Sequence, residues 1–491
     1  MSAAPNTRGS VFAQRKTLRF GLRLAAAAVA FEAAVTLTRD ALATNGVEQL
    51  GSSPNGRYLV TPDGRPFFYL GDTAWELFHR LNREEAELYL TDRARKGFTV
   101  IQAVVLAELD GLHAPNAYGH TPLVDDDPTR PAVKDGPDND YWDHVDWIVG
   151  RAESLGLFIG MLPTWGDKWN KKWGVGPEIF TPENARTCGR WLGSRYRDRP
   201  IIWILGGDRN PETPGHLAVI RAMAQGLREG DGGRHLMTYH PMGGSHSAQW
   251  FHADDWLAFN MFQSGHGALH FPNYRTTLAL RERTPIKPVL DGEPRYEDHP
   301  VNWKQDSGWF DDWDVRQAAY WSMLSGACGH TYGNHNIWQM YEPPRRPISH
   351  ARTAWKTALR HPGAEQMGLM RSILTQRPFH KLLPDQSLIR GFELEGGDHR
   401  RAARAEDDSF ALAYLPTGGE LTVTWNPPGA RRIRIWWFDP RTGDVRMEGE
   451  KDAEGAISLR APGEGRGNDW LLILDNVSAD LPPLEKASVD R

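Results

Sequence analysis

Cysteine is nearly absent from this chain: two residues in 491, Cys188 and Cys328. They lie far apart with no C-x-x-C or metal-type spacing, so no cysteine framework organises the fold, and both are read as buried thiols. Excess positive charge is also missing. The formal net charge is -5, and with no polybasic stretch neither nucleic acid nor an anionic membrane is expected as a partner. No apolar run has the length and polarity of a membrane span. No G-x-G-x-x-G follows the first strand, which removes the main support for a dinucleotide fold, and G-x-S-x-G and H-E-x-x-H are absent. His240, His246, His252, His266 and His270 follow no metal-ligand spacing. They are read as loop histidines, and no metal or cofactor is expected.

What is present is a folded chain rich in tryptophan. Hydrophobic residues make up 40% and charged residues 24%, a globular balance, and there are 20 Trp. Most Trp belong in a core, but a surplus beside polar loops also suits the apolar face of a sugar ring. The length fits an α/β barrel plus a smaller module.

Residues 1–43 are read as a signal peptide or a disordered N-terminal segment. Arg8, Arg15, Lys16, Arg19 and Arg23 precede an apolar run from Leu24 to Leu37, and Ala41-Leu42-Ala43 offers a cleavage site. Glu32 interrupts that run. The reading implies a secreted or periplasmic protein.

From residue 50 to 383 the chain alternates apolar runs with helical patterns, which implies a parallel sheet with helices outside. Eight strands are expected: 66–70, 99–106, 157–163, 201–205, 235–239, 257–262, 288–291 and 328–333. Helical patterns lie at 83–96, 140–155, 184–196, 214–228 and 315–325. The count favours a (β/α)8 TIM barrel. Residues 107–139 form a long polar insertion with Asp125-Asp126-Asp127, expected to be a solvated loop. From 384 to 478 short strands at 409–415, 421–425, 432–438 and 470–474 alternate with Gly/Pro turns, a small antiparallel β-sandwich. Residues 479–491 read as a polar tail.

Two of the apolar runs stop at carboxylates. Ile201-Ile202-Trp203-Ile204-Leu205 meets Gly206-Gly207-Asp208, and Pro288-Val289-Leu290 meets Asp291-Gly292-Glu293. As barrel strands four and seven, both would present acids at strand C-terminal ends, the catalytic face of the fold. One protonated and one ionised carboxyl across a cleft are what glycoside hydrolysis needs. Separations of about 5 Å or about 6.5–9.5 Å would mean retention or inversion. The competing reading pairs Asp208 with Arg209 and Glu293 with Arg295 as loop salt bridges. Asp291 rivals Glu293 for the second role, since the register is open. Other polar and aromatic groups at strand ends are candidate substrate contacts: Asp72, Trp75, Trp165, His240, Asn260, Gln263, Asp291, Asn334, His335 and Trp338. A non-catalytic carbohydrate-binding protein on a barrel scaffold is the alternative function.

Three segments, Tyr69-Leu70-Gly71-Asp72-Thr73-Ala74-Trp75, Trp203-Ile204-Leu205-Gly206-Gly207-Asp208-Arg209-Asn210 and Asp291-Gly292-Glu293-Pro294-Arg295-Tyr296-Glu297, resemble the apiosidase-like glycoside hydrolases, family 140. The resemblance spans about residues 50 to 476. It implies a (β/α)8 domain followed by a C-terminal β-sandwich of the collagen-binding type. It also implies Asp208 and Glu293 as the catalytic pair, and hydrolysis of apiose-containing linkages in the pectin rhamnogalacturonan-II.

Overall fold

The computed structural model describes residues 1–2, 49–390 and 395–489. The leader expected over residues 1–43 lies almost wholly outside these. Eight parallel strands form the first part: β1 (Tyr69–Thr73), β2 (Val100–Leu106), β3 (Phe158–Thr164), β4 (Ile201–Leu205), β5 (Met237–Tyr239), β6 (Asn260–Phe262), β7 (Val289–Asp291) and β8 (Gly329–Tyr332). Each overlaps an expected run. Six pair in the order β5-β4-β3-β2-β1-β8, and β6 pairs with β7. Two backbone bonds close the ring: Ala258 N–H donates to Met237 O at 2.8 Å, and Cys328 N–H donates to Val289 O at 2.9 Å. No sheet edge is left open, and every strand C-terminus faces one mouth.

Side-chain alternation builds the two layers. Val100, Val104, Leu162, Ile202, Ile204, Met261 and Leu290 fill the barrel interior. Their neighbours Ile101, Val105, Ile159, Met161, Trp203 and Leu205 face outward into the helix layer. That layer comprises α1 (Arg83–Arg95), α2 (Tyr141–Ser154), α3 (Pro182–Arg195), α4 (Pro214–Asp231), α5 (Asn273–Arg281), α6 (Asp312–Met323) and α7 (Pro362–Thr375). Side-chain caps start several of them: Asn82 for α1, Asp140 for α2, Thr181 for α3, Thr213 for α4 and Asp311 for α6. The connection between β5 and β6 carries only the 3₁₀ turn Ser247–Gln249 in place of a helix. Both cysteines are free and buried, and burial pushes each thiol up to about 12.

The C-terminal part packs a six-stranded antiparallel sheet on a three-stranded one. Four strands, Phe410–Leu415, Gly418–Val423, Arg432–Phe438 and Trp470–Asn476, match the expected runs. Arg401–Ala405, Val445–Asp452 and Ile457–Glu464 are additional. Val445–Asp452 lies at the sheet edge and is almost wholly exposed or half-exposed, so it lacks an apolar pattern. Residues 479–489 run back along the fold, burying Leu484 and Ala487.

A buried ion pair ties this sheet to the barrel. Arg316 on α6 makes a bidentate contact with Asp469, at 2.9 and 2.8 Å, and Tyr414 donates to the same carboxylate at 2.9 Å. Both charges are almost fully buried. Removing Asp469 leaves the buried Arg316 guanidinium with only the half-exposed Asp312, 2.6 Å from its Nη1, as counter-charge. Asp469→Ala is therefore expected to lower unfolding free energy by about 3–5 kcal/mol in urea titrations. The paired replacement Arg316→Met/Asp469→Leu should recover much of that loss.

Candidate active site

A cavity of about 730 Å³ opens at the mouth formed by the strand C-termini. β4 ends at Leu205, and Gly206, Gly207 and Asp208 follow with φ of 104°, 69° and 58°. A Cβ at Gly206 would lie 2.3 Å from the His240 carbonyl oxygen, and one at Gly207 would lie 2.7 Å from the Gly166 nitrogen. Only glycine permits that approach together with a left-handed backbone. Asp208 itself is held left-handed, a conformation Asp tolerates better than most residues, and its side chain lines the cavity.

Glu293 follows β7 after the tight Gly292, where a Cβ would lie 2.5 Å from Met261 Sδ. Two imidazoles meet its carboxylate. His240 Nε2 lies 2.9 Å from Oε2, and His266 Nε2 lies 3.1 Å from Oε1. The Asp208 backbone N–H donates to His240 Nδ1 at 3.2 Å. An Nδ1 that accepts leaves the ring proton on Nε2, which lies close to Glu293 without hydrogen-bond alignment. One imidazole thus joins the backbone of one acid to the carboxylate of the other.

This arrangement separates the two acids electrostatically. Burial, then the nearby Glu293 charge, pushes Asp208 up to about 7 against the weaker pull of His240, Arg209 and Gln263. Burial would raise Glu293 as well, but His240 and His266 outweigh it and hold Glu293 down to about 2. One carboxyl is kept as an acid and the other as an anion. A third carboxyl, Glu108, lines the same cavity just past β2. Burial and the charge of Asp208 push it up to about 8.

Of the two expected loop salt bridges, Asp208–Arg209 is present as a loose contact and Glu293–Arg295 is not found among the described residues. Arg209 approaches Asp208 only at 3.6 Å, and its shorter bonds go to the Asn170, Asp208 and Trp173 carbonyls. Arg295 binds the Leu269 carbonyl and Gln317 Oε1.

Of the other candidates, Trp75, Trp165, Gln263, His335 and Trp338 line the cavity. His240 reaches it through Glu293. Trp75 packs against Trp165 and His240, each with centroids at 5.3 Å. Trp165 Nε1 and Gln263 Oε1 are buried there without a partner among the described residues. Four candidates are committed elsewhere. Asp72 is fully buried and accepts from Tyr89 and Arg93. Asp291 accepts from Ser264 Oγ at 2.7 Å and Asn273 Nδ2 at 3.1 Å, on the helix side of β7. Asn260 accepts from Ser247 and contacts His252. Asn334 caps the short helix His335–Trp338 and contacts His361. None of the four lines the cavity.

Sequence reading passed over Glu108, His266 and Tyr296, all of which line the cavity. Glu108 carries the same signature as the opening pair, an apolar strand run ending at an acid, but it stood inside the segment read as a polar insertion. His266 carries no sequence pattern that separates it from the other loop histidines. Tyr296 sits within the Asp291–Glu297 motif, beside Glu293, whose charge adds to burial in raising the phenol.

Comparison with known proteins agrees with this architecture. A solved "Glycoside hydrolase" is 34% identical, covering 88% of this chain and 97% of that one with a TM-score of 0.81. A glycoside hydrolase family 5 structure from Bacteroides vulgatus is 33% identical, covering 90% of this chain and 96% of that one with a TM-score of 0.83. No curated protein matches. With this barrel, the chain is a glycoside hydrolase. The family "Apiosidase-like, catalytic domain" matches residues 53–381, and the chain belongs to that family. A second family, "Putative collagen-binding domain of a collagenase", matches residues 383–475.

The raised Asp208 has a stability signature. Its folded value, about 7, exceeds its unfolded one, about 3.9. Between those values the folded state holds the extra proton, so this group's contribution falls as pH rises from about 4 to 7. Asp208→Asn removes the penalty. The variant should melt above wild type at pH 8, with the difference shrinking toward pH 4 in calorimetric scans.

Proposed function

We propose that the chain cleaves a glycosidic bond in a plant-type polysaccharide or oligosaccharide, with Asp208 as general acid/base and Glu293 as nucleophile or water-activating base. The observation that carries this reading is the His240 imidazole shared by Asp208 and Glu293, with His266 completing the cradle of Glu293.

In the first step protonated Asp208 gives its proton to the leaving oxygen as the anomeric C–O bond breaks. Ionised Glu293 then either bonds to the anomeric carbon or takes a proton from the water that does. In the two-step case Asp208, now a carboxylate, takes a proton from water that releases the sugar from Glu293. The anomer of the first-formed product, read by NMR, separates the two courses.

Trp75, Trp165 and Trp338 supply apolar faces for the sugar at the cleavage point. Trp165 Nε1 offers a donor and Gln263 Oε1 an acceptor to its hydroxyls, since each is buried without a protein partner among the described residues. Family membership supports an apiose-containing pectic linkage as the first substrate to test. A polymeric substrate outside the cell accords with export through the leader-like residues 1–43. No helix among the described residues is long and apolar enough to cross a membrane.

Asp208→Asn and Glu293→Gln should each lower kcat by about 10²–10⁴-fold while circular dichroism stays native. Near-normal turnover by either would remove that residue from the mechanism. Activity should decline as pH rises through about 7, where Asp208 loses its proton. Removing the Glu293 charge lowers Asp208, so direct titration of Asp208 in Glu293→Gln should give a midpoint below that in wild type. Hydrolysis screened on rhamnogalacturonan-II and other plant glycans, with products identified, tests the substrate.

A further inference from the structure

The cavity mouth carries two tryptophans that the catalytic chemistry does not use. Trp173, past β3, and Trp303, past β7, both line the cavity, yet they are 40% and 50% exposed. The interior Trp75, Trp165 and Trp338 are all buried. Single exposed hydrophobics are ordinary on a surface, but a half-exposed ring at the rim of a cavity offers an apolar face to a ligand.

Each ring is held in place. The Arg209 guanidinium lies 3.7 Å from the Trp173 ring centroid, and Arg209 also donates to the Trp173 carbonyl. Arg209 is itself fully buried. Trp303 meets His266 and His299 edge-on, with centroids at 6.0 and 5.8 Å. Its backbone is left-handed, φ 57°, directly after Asn302 at φ 52°. A bulky side chain rarely adopts this conformation, and such strain persists where surrounding structure enforces it, often at binding sites. Here it fixes an aromatic face toward solvent at the rim of the pocket.

We propose that Trp173 and Trp303 are platforms for the outer sugars of an oligosaccharide that spans the cleavage point. The inference rests on the glycosidase mechanism above and extends it to substrate length. Trp173 packs on Arg209, the neighbour of the acid Asp208, so it serves the leaving-group side. Trp303 packs on His266, which holds Glu293, so it serves the opposite side. The volume of about 730 Å³ lies in the range that encloses a ligand larger than one sugar ring.

The test uses fragments of graded length from whichever panel glycan the wild-type enzyme cleaves, beginning with rhamnogalacturonan-II oligosaccharides. Trp173→Ala and Trp303→Ala should each raise KM about three- to tenfold on the longest fragment. The shortest cleavable fragment should show wild-type kcat and KM in both. Trimming the reducing end should abolish the Trp173 effect, and trimming the non-reducing end the Trp303 effect. Trp→Phe should restore most of the affinity, which a folding defect would not allow. Unchanged KM on long fragments, an equal loss on every length, or exchanged trimming effects would overturn the proposal while leaving the mechanism standing. Wild-type inactivity on every glycan would instead bring down the mechanism and this inference together.

Discussion

The contact on which the site depends is the His240 imidazole between the Asp208 backbone and the Glu293 carboxylate. It exists only because three chain segments come unusually close. The His240 carbonyl oxygen lies within 2.3 Å of where a Cβ on Gly206 would be, and the Gly166 nitrogen within 2.7 Å of where a Cβ on Gly207 would be. The two glycines let the ends of β3, β4 and β5 crowd together. That crowding brings a histidine from one loop under an acid from another. The barrel supplies the common height of the strand ends, and the glycines supply the last few ångströms.

The same crowding sets the charges. Glu293 is largely buried and Asp208 mostly so, at 8% and 18% side-chain exposure, and burial by itself would raise both. Only Glu293 has two imidazoles on its oxygens. Asp208 has Arg209 at 3.6 Å, with that guanidinium turned mainly to backbone carbonyls. Arg209 therefore helps shape the loop carrying Trp173 more than it neutralises the acid. A tight Asp208–Arg209 pair would favour the anion and would spoil a proton donor at neutral pH. The unfavourable burial of these charges is offset elsewhere, in the closed barrel core and in matched buried pairs such as Arg93–Asp72 and Arg316–Asp469.

The strands were legible because their interiors are continuous apolar runs of the right length, and the helices because caps and glycine stops frame them. Asp208 could be read from its run because β4 ends immediately before it. The rivalry of Asp291 and Glu293 could not be settled that way. Asp291 is the last residue of β7 and turns to Ser264 and Asn273 on the helix side, whereas Glu293 lies beyond the strand, where alternation no longer applies. Asp72 has the same signature as Asp208, an acid at a strand end, but its partners Tyr89 and Arg93 come from α1, a pairing that no local pattern announces. Arg401–Ala405 and Val445–Asp452 escaped because their Arg, Glu and Lys content hides the strand period.

A few of the residues in the left-handed backbone region stand at the cavity. Asp208 is one, and Asn302 and Trp303 are a consecutive pair at the rim. The strands that carry these loops are fully buried, so the scaffold can hold conformations that a free loop would relax. Reaction type and substrate reach are therefore fixed at different depths of one cavity. The acid pair and its imidazoles lie at the floor, where reduced contact with water sharpens their charge difference. The exposed tryptophans stand at the rim, where hydration is lost only when a ligand arrives. Changes at the rim alter which chains are held and leave the proton inventory of the floor intact, so a barrel of this kind can diversify its substrates without rebuilding its chemistry.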